Sequence, residues 1–446
     1  MKKKDQQSTY RILIEANKLL MPGNDGVKRY LTTLLNVLQY ADPLNPSQFE
    51  IDLYVQGRSP FALGKASVLL DSHSQQVNTL EKQIASIKEQ APIEVRLLQV
   101  KTSIRKALPA FVYRWCKRIY VALPIRFLLD YLRQLLAWRD AQRLKKVFAQ
   151  YDLIHIPLPQ NVHYLAGVEG NFLVTIHDLS HFHFPEFHTS DNRSRTESGM
   201  DWIVKKQAHI LAVSEATKVD ILQVYPLPAA QIHVVYPSYD AALFFPQSDQ
   251  AHLRNILKKY GLPNRPFFLA LSTLEPRKNL INMLKAFSDL SAETETEEMA
   301  FFVCGKTGWK MEDFQKQAWT ANENIFFPGF IAEEDLPILY AHALALCYVS
   351  FYEGFGLPPL EAMACGTTVI YGHNSALTEV IADAGLPADP NDVAAIKRQM
   401  ASVFHDEGLR TSLERKALKR AAFFSEKKMA TAMLKVYQRI LATLVR

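Results

Sequence analysis

Short apolar runs recur along the chain, each followed by a segment whose apolar positions repeat at helical spacing. In the first half the runs are Arg11–Ala16, Phe49–Val55, Ile93–Leu98, Leu153–Ile156, Phe172–Ile176 and Ile210–Val213. In the second half they are Phe267–Leu271, Ala300–Cys304, Ile325–Phe327, Ala343–Cys347 and Thr367–Ile370. Helices are predicted between them, over 27–40, Leu280–Leu290 and Leu357–Ala364 among others. Strands alternating with helices predict parallel sheets covered on both faces. Two such series predict an α/β architecture of two Rossmann-like domains. Turn residues dominate Tyr236–Pro246, which marks the boundary. The expected layout is 1–240 as an N-terminal domain, 241–425 as a C-terminal one, and a closing helix over 426–446. The last ~40 residues read as continuously helical.

Composition narrows the class. The chain has 446 residues, is 48% hydrophobic and 22% charged, and carries a net charge of +6. That is a globular balance, not a disordered or fibrous one. No run of about 18 apolar residues is free of charge, so no transmembrane helix is expected. The N-terminus lacks the apolar core and cleavage site of a signal peptide, so the expected location is the cytoplasm. Cys116, Cys304, Cys347 and Cys365 form no CxxC pair and read as reduced, buried thiols.

Charge is concentrated in one place. Residues 101–146 hold twelve Lys/Arg against two Asp, a local balance of +10, which leaves the rest of the chain at −4. Trp115, Tyr120, Phe127, Tyr131 and Trp138 lie among them. Such a segment fits a helix lying on an anionic membrane surface, and equally a long helix packing its Leu face on a sheet. Nucleic acid is not the expected partner, because no nucleic-acid motif accompanies the patch.

Three segments carry the chemistry. The first runs from Ser350 to Gly366 and follows an apolar strand. Gly354 and Gly356 let the backbone approach a ligand, and Pro358 and Pro359 suit a helix's first turn. Orphan amides there attract phosphate. Glu353 precedes the helix and Glu361 lies inside it, so both can face one cleft. The second, Ser272-Thr273-Leu274-Glu275-Pro276-Arg277-Lys278-Asn279, sets two cations at a strand's carboxyl end, where a diphosphate can be neutralised. Alone, it reads better as a surface turn. The third, Val174-Thr175-Ile176-His177-Asp178-Leu179, places a His at a strand end; a lone His is more often structural. His181, His183 and His188 nearby have no metal-ligand spacing, so no metal site is expected.

In this order the three segments resemble the retaining glycosyltransferases of family 4, which have the GT-B fold of two Rossmann-like domains facing each other across a cleft. The resemblance spans nearly the whole chain. It includes Ile12–Glu15, Gly23–Gly26 with Val27-Lys28-Arg29-Tyr30, Ala212-Val213-Ser214-Glu215, Pro328-Gly329-Phe330, and the two glutamates Glu353 and Glu361 with seven residues between them. It implies that Arg277 and Lys278 bind the donor's pyrophosphate and Glu353 the transferred sugar. The amides of Phe355, Gly356 and Leu357 would meet sugar and phosphate, and Glu361 the ribose. Gly26 would let its loop close over the phosphates, His177 would line the reaction centre, and the backbone near Phe330 would meet the base. Two departures stand out: Ser272-Thr273 replaces a common Gly-Arg, and Pro237-Ser238 replaces the usual Asn-Gly hinge. The Glu-Pro-Arg-Lys-Asn variant resembles mannosyl- and related transferases of surface polysaccharides.

No Asp-x-Asp occurs in the chain, so the leaving diphosphate is expected to be neutralised by Arg277, Lys278 and helix N-termini without a metal or cofactor. Same-face attack, with the departing phosphate helping to accept the acceptor's proton, is the expected route. The expected reaction moves a hexose, with mannose from GDP-mannose preferred, from a nucleotide diphosphate sugar to a glycan or lipid-linked acceptor. Transfer from a UDP-sugar, a phosphorylase or epimerase activity, and a non-catalytic nucleotide-sugar-binding subunit are the alternatives. A dehydrogenase is excluded, because no G-x-G-x-x-G follows the first strand.

Overall fold

The computed structural model describes residues 9–21, 25–40, 49–55, 60–62, 142, 144–165, 167–293, 299–306 and 322–444. The expected strand Ile93–Leu98, Cys116 and nearly all of the basic segment 101–146 lie outside them.

By contact the chain divides into two compact units. One is Met1–Gly23, Asp42–Pro157 and Asn161–Phe172; the other is Asn24–Ala41, Leu158–Gln160 and Leu173–Arg446. In the first unit β1 (Tyr10–Glu15), β2 (Phe49–Tyr54), β3 (Phe61–Ala62) and β4 (Leu153–Ile156) run in the order β3-β2-β1-β4. Only β3 is antiparallel to its neighbour. Glu15, at the end of β1, is buried and accepts from the Asn17 amide at 2.7 Å and the Asn161 side chain at 2.9 Å.

The second unit carries α1 (Gly26–Tyr40), β5 (Phe172–Ile176, all but its first residue), β6 (His209–Ala212), α2 (Glu215–Val224) and β7 (Ile232–Val234). It continues through β8 (Phe267–Leu271), α3 (Leu280–Glu293), β9 (Ala300–Cys304), β10 (Ile325–Gly329), α4 (Leu336–His342) and β11 (Ala345–Tyr348). It ends with α5 (Leu357–Ala364), β12 (Val369–Gly372), α6 (Ser375–Ile381), β13 (Gly385–Ala388), α7 (Glu407–Ala421) and α8 (Glu426–Leu444). β5, β6 and β7 pair in parallel. The six later strands run β10-β9-β8-β11-β12-β13, all parallel. β8, β9 and β11 are buried along their whole length, the continuous apolar character of a sheet covered on both sides. Phe268, Phe287, Phe301 and Met283 fill the core on one of its faces.

One expectation needs correction. The C-terminal stretch is not one helix: it breaks at Ala422–Phe424 and Ser425 between α7 and α8. The break is tertiary in origin, since the Phe424 carbonyl accepts from Ser238 Oγ at 2.7 Å and the Phe424 ring packs on Tyr236 and Phe355. Within the second unit α8 packs on α1. Glu379 of α6 accepts both first amides of α2, Glu215 and Ala216, at 3.0 Å, and the Tyr236 hydroxyl at 2.5 Å. A carboxylate there meets the positive end of the helix dipole.

Candidate functional site

The order of the second sheet reverses between β8 and β11, so the loops leaving those two strands diverge and leave a crevice at their carboxyl ends. Both loops carry the singled-out residues. After β8, Pro276–Lys278 forms one turn of 3-10 helix, and Asn279 takes a left-handed conformation at φ 55°. The Asn279 side-chain amide donates to the carbonyls of Val349 at 3.0 Å and Pro390 at 2.7 Å, which ties this turn to the loop after β11. After β11 the chain reaches Gly354, where a Cβ would lie 1.7 Å from the His177 carbonyl oxygen. Only glycine allows that approach. The Gly354 carbonyl in turn accepts from Ser214 Oγ at 2.7 Å and Thr217 Oγ1 at 3.2 Å. Gly356, at φ 101°, caps α5, and Leu357, Pro358 and Pro359 form its first turn.

These constraints bring Arg277, Lys278 and Glu353 together. Lys278 Nζ donates to Glu353 Oε1 at 2.6 Å and to the Tyr348 hydroxyl at 3.0 Å. Arg277 Nη1 stands 3.0 Å from Glu353 Oε2 and donates to the Tyr352 carbonyl at 2.7 Å; its Nη2 donates to Glu275 Oε1 at 2.7 Å. All four charged residues are nearly shut off from solvent. Burial works against the charge of Glu353, but Arg277 and Lys278 outweigh it and hold the carboxyl below the usual range. Burial and Arg277 likewise oppose the charge of Lys278, and Glu353 with its neighbours outweighs them and raises its pKa. Burial pushes the Tyr348 hydroxyl up to about 12, with Glu353 adding to it.

His177 lies beside this cluster. Its backbone contacts Gly354, next to Glu353, and its ring meets Tyr30 of α1 edge-on at 4.9 Å. The adjoining Asp178 is half-buried; burial raises its pKa, but Arg277 and the Ser180 hydroxyl and amide lower it more. Tyr352 locks the same corner, donating to Asp220 Oδ2 at 2.5 Å.

Glu361 is 2% exposed and sits one level away, on α5. Arg29 Nη1 of α1 reaches both its oxygens, at 2.6 and 2.7 Å, and the Tyr340 hydroxyl donates to Oε2 at 3.2 Å. Arg29 Nε lies 3.4 Å from Glu333. Burial opposes the Arg29 charge, and Glu361 and Glu333 overcome it. Phe355 is buried against Tyr236 and Phe424, which leaves its amide rather than its ring for ligand contact. Phe330 stands half exposed after β10, with Lys306 Nζ 4.7 Å from its ring centre. Gly26 begins α1 in open space, so nothing in its immediate surroundings requires a glycine. Four further residues of the two clusters, Arg29, Glu275, Tyr340 and Tyr348, were not expected there. Arg29 and Glu275 lie inside segments already singled out, 27–30 and 272–279; Tyr340 and Tyr348 carry no local signal.

No group of three His, Cys, Asp or Glu among the described residues is arranged to hold a metal ion. None of their helices is long and apolar enough to cross a membrane. Cys304, Cys347 and Cys365 are buried free thiols whose pKa burial raises.

Residues 254–420 match the family described as Glycosyl transferases group 1, and residues 90–243 match Glycosyltransferase Family 4. O-antigen chain mannosyltransferase B of Escherichia coli is 34% identical over 273 residues, covering 60% of this chain and 70% of that protein. The chain belongs to glycosyltransferase family 4. O-antigen chain mannosyltransferase RfbU of Salmonella typhimurium is 28% identical to this glycosyltransferase, over 52% of the chain and 60% of that protein. Among solved structures, Anabaena HepE in complex with UDP and glucose superposes on this glycosyltransferase at TM-score 0.63 and 14% identity. The match covers 96% of this chain and 100% of HepE. Sucrose-phosphate synthase from Thermosynechococcus elongatus superposes at TM-score 0.63 and 17% identity, over 97% of this chain and all of that one. At such identities the likeness is one of fold, GT-B.

Proposed function

We propose that this glycosyltransferase moves mannose from GDP-mannose to a glycan or lipid-linked acceptor in surface polysaccharide assembly, with retention and without a metal ion. The observation that carries the reading is the buried Arg277–Lys278–Glu353 cluster at the sheet's switch point. Mannose is favoured by the two relatives named as O-antigen chain mannosyltransferases. Residues 241–425 would carry the donor and 1–240 the acceptor.

Lys278 has three N–H groups, and Glu353 and Tyr348 use two of them. The third is available to a phosphate oxygen, and Arg277 adds its fixed charge beside it. These cations stabilise the negative charge that develops on the leaving diphosphate. Glu353, held ionised by the same two cations, accepts hydrogen bonds from hydroxyls of the transferred sugar. The amides of Phe355, Gly356 and Leu357 meet sugar and phosphate, Glu361 the ribose, and the backbone at Phe330 the base. Gly26 begins the segment that closes over the phosphates. His177 lines the reaction centre. The acceptor hydroxyl attacks on the face the diphosphate leaves, and the departing phosphate takes its proton. The basic segment 101–146 would dock on anionic lipid at the cytoplasmic face.

A screen of GDP-mannose, UDP-glucose, UDP-N-acetylglucosamine and UDP-galactose by thermal shift and slow hydrolysis, with and without EDTA, tests this. GDP-mannose alone should raise Tm and be hydrolysed, unaffected by EDTA, and both effects should vanish in Lys278→Ala. Response to a UDP-sugar instead would replace the donor, loss with EDTA would replace the metal-free mechanism, and no response to any nucleotide sugar would overturn the donor site.

A further inference from the structure

Glu361, assigned above to the donor's ribose, is already heavily engaged. Arg29 Nη1 takes both of its oxygens and the Tyr340 hydroxyl donates to one of them. A carboxylate offers about four lone-pair positions. Three are used here, and a ribose diol brings two hydroxyl donors. Ribose and Arg29 therefore compete for one carboxylate.

Arg29 cannot simply be released. Its side chain is 17% exposed; besides Glu361 it has Glu333 3.4 Å from Nε, an ion pair without a hydrogen bond. A guanidinium does not shed its proton in a protein, and a buried charge stripped of its partner is strongly destabilising. Glu333 pairs with Arg29 without a hydrogen bond, so Arg29 needs a hydrogen-bonding anion as ribose arrives. The donor carries one, because a diphosphate presents oxygens that a guanidinium fork engages two at a time. The diphosphate also has need of it: Arg277 is already matched by Glu353 and Glu275, and Lys278 by Glu353.

We infer that Arg29 is a donor-binding residue that exchanges partners, holding Glu361 until ribose takes that carboxylate and then carrying its charge to the diphosphate. The inference rests on the donor-site reading above.

Calorimetric titration of the full chain with guanosine, GMP and GDP, repeated with the uridine series, tests it. In Arg29→Ala the nucleoside should bind several-fold more tightly, because its competitor is gone. The affinity gained on passing from monophosphate to diphosphate should shrink about tenfold or more. Arg29→Lys, which keeps a cation without the fork, should retain part of that gain. Nucleoside affinity unchanged or weakened in Arg29→Ala, or an undiminished monophosphate-to-diphosphate gain, overturns the exchange. If Arg29→Ala does not fold, Arg29→Gln supplies the same comparison against Arg29→Lys. The wider reading fails separately: if wild type binds no nucleotide, or Lys278→Ala binds GDP as wild type does, the donor site itself is misplaced and the inference falls with it. If GDP binding depends on Lys278 and the Arg29 variants show no crossover, only the inference falls.

Discussion

Glu353 and Glu361 lie eight positions apart, and both are buried and matched by cations, yet they are held in place differently. The partners of Glu353 come from the turn after β8, in the same sheet, with Lys278 75 positions earlier. The cationic partner of Glu361 comes from α1, 332 positions earlier. Glu353 is therefore set by one sheet and the two loops at its switch point, which Asn279 ties together. Glu361 is set by where α1 lies. A centre built into one sheet is preorganised for charge that develops during reaction, whereas one borrowed from a distant helix suits a step that exchanges partners.

The largest expected effect separates the two glutamates kinetically. Glu353→Gln should lower kcat about a thousandfold, because the charge that orders Lys278 and Arg277 is lost. Glu361→Gln should raise the donor KM about tenfold and leave kcat within about threefold, as expected for binding lost equally in ground and transition states. Steady-state kinetics on purified variants would show it. An equal fall of kcat in both would erase the distinction.

The cluster at Glu353 was more legible in the sequence than that at Glu361, for a physical reason. A parallel strand buried on both faces leaves a continuous apolar run, so Phe267–Leu271 and Ala300–Cys304 were readable to the residue, and so was the strand Phe172–Ile176 before His177. The loop leaving such a strand stands at its sheet's carboxyl edge, which put Arg277 and Lys278 at one strand end and His177 at another; the family resemblance joined them in one site. Arg29 lies in the stretch 27–30 that the resemblance includes, but its pairing with Glu361 left no such trace, because a partner 332 positions away has no periodicity. The strands that went unread, β3, β7 and β13, are short edge strands, and β13 carries Pro387, which an edge tolerates. The break between α7 and α8 escaped because side chains from the Tyr236–Ser238 stretch impose it against local helix propensity.

A second, smaller effect tests whether the Glu353 centre is rigid. Gly354→Ala would set a Cβ 1.7 Å from the His177 carbonyl oxygen and 2.8 Å from Asp178 Cβ. Backbone cannot yield as a flexible side chain does, so the loop must shift away from His177, at a cost of about 1–3 kcal/mol. The expected result is a lower midpoint in chemical denaturation at unchanged slope, with His177 and Glu353 parted and turnover lost. Gly26→Ala, which meets no atom within 4 Å, is the control and should leave stability within about 0.5 kcal/mol of wild type. If both substitutions behaved alike, the close approach of the two loops would not be what holds Glu353 in place.

The smallest expected effect is an absence of change, and it tests the charge state on which the comparison rests. Burial alone would raise the carboxyl of Glu353, but Arg277 and then Lys278 bring it below the ordinary value of 4.5. A carboxyl lowered on folding contributes stability that is fully present above its unfolded pKa and is lost as pH falls through the folded one. Lys278 is raised above its ordinary 10.5, so its contribution is complete below that value and lost only at higher pH. The difference in unfolding free energy between wild type and Glu353→Gln should therefore be flat from about pH 8 to about pH 5. It should narrow only below about 4.5, where the unfolded carboxyl begins to take up its proton. Denaturation curves for the two proteins, collected in parallel at unit steps of pH, measure it directly. Narrowing already near neutral pH would mean that Glu353 titrates as a desolvated acid rather than as the partner of two cations. The cluster would then be poised to deliver a proton instead of holding a fixed charge against the leaving diphosphate.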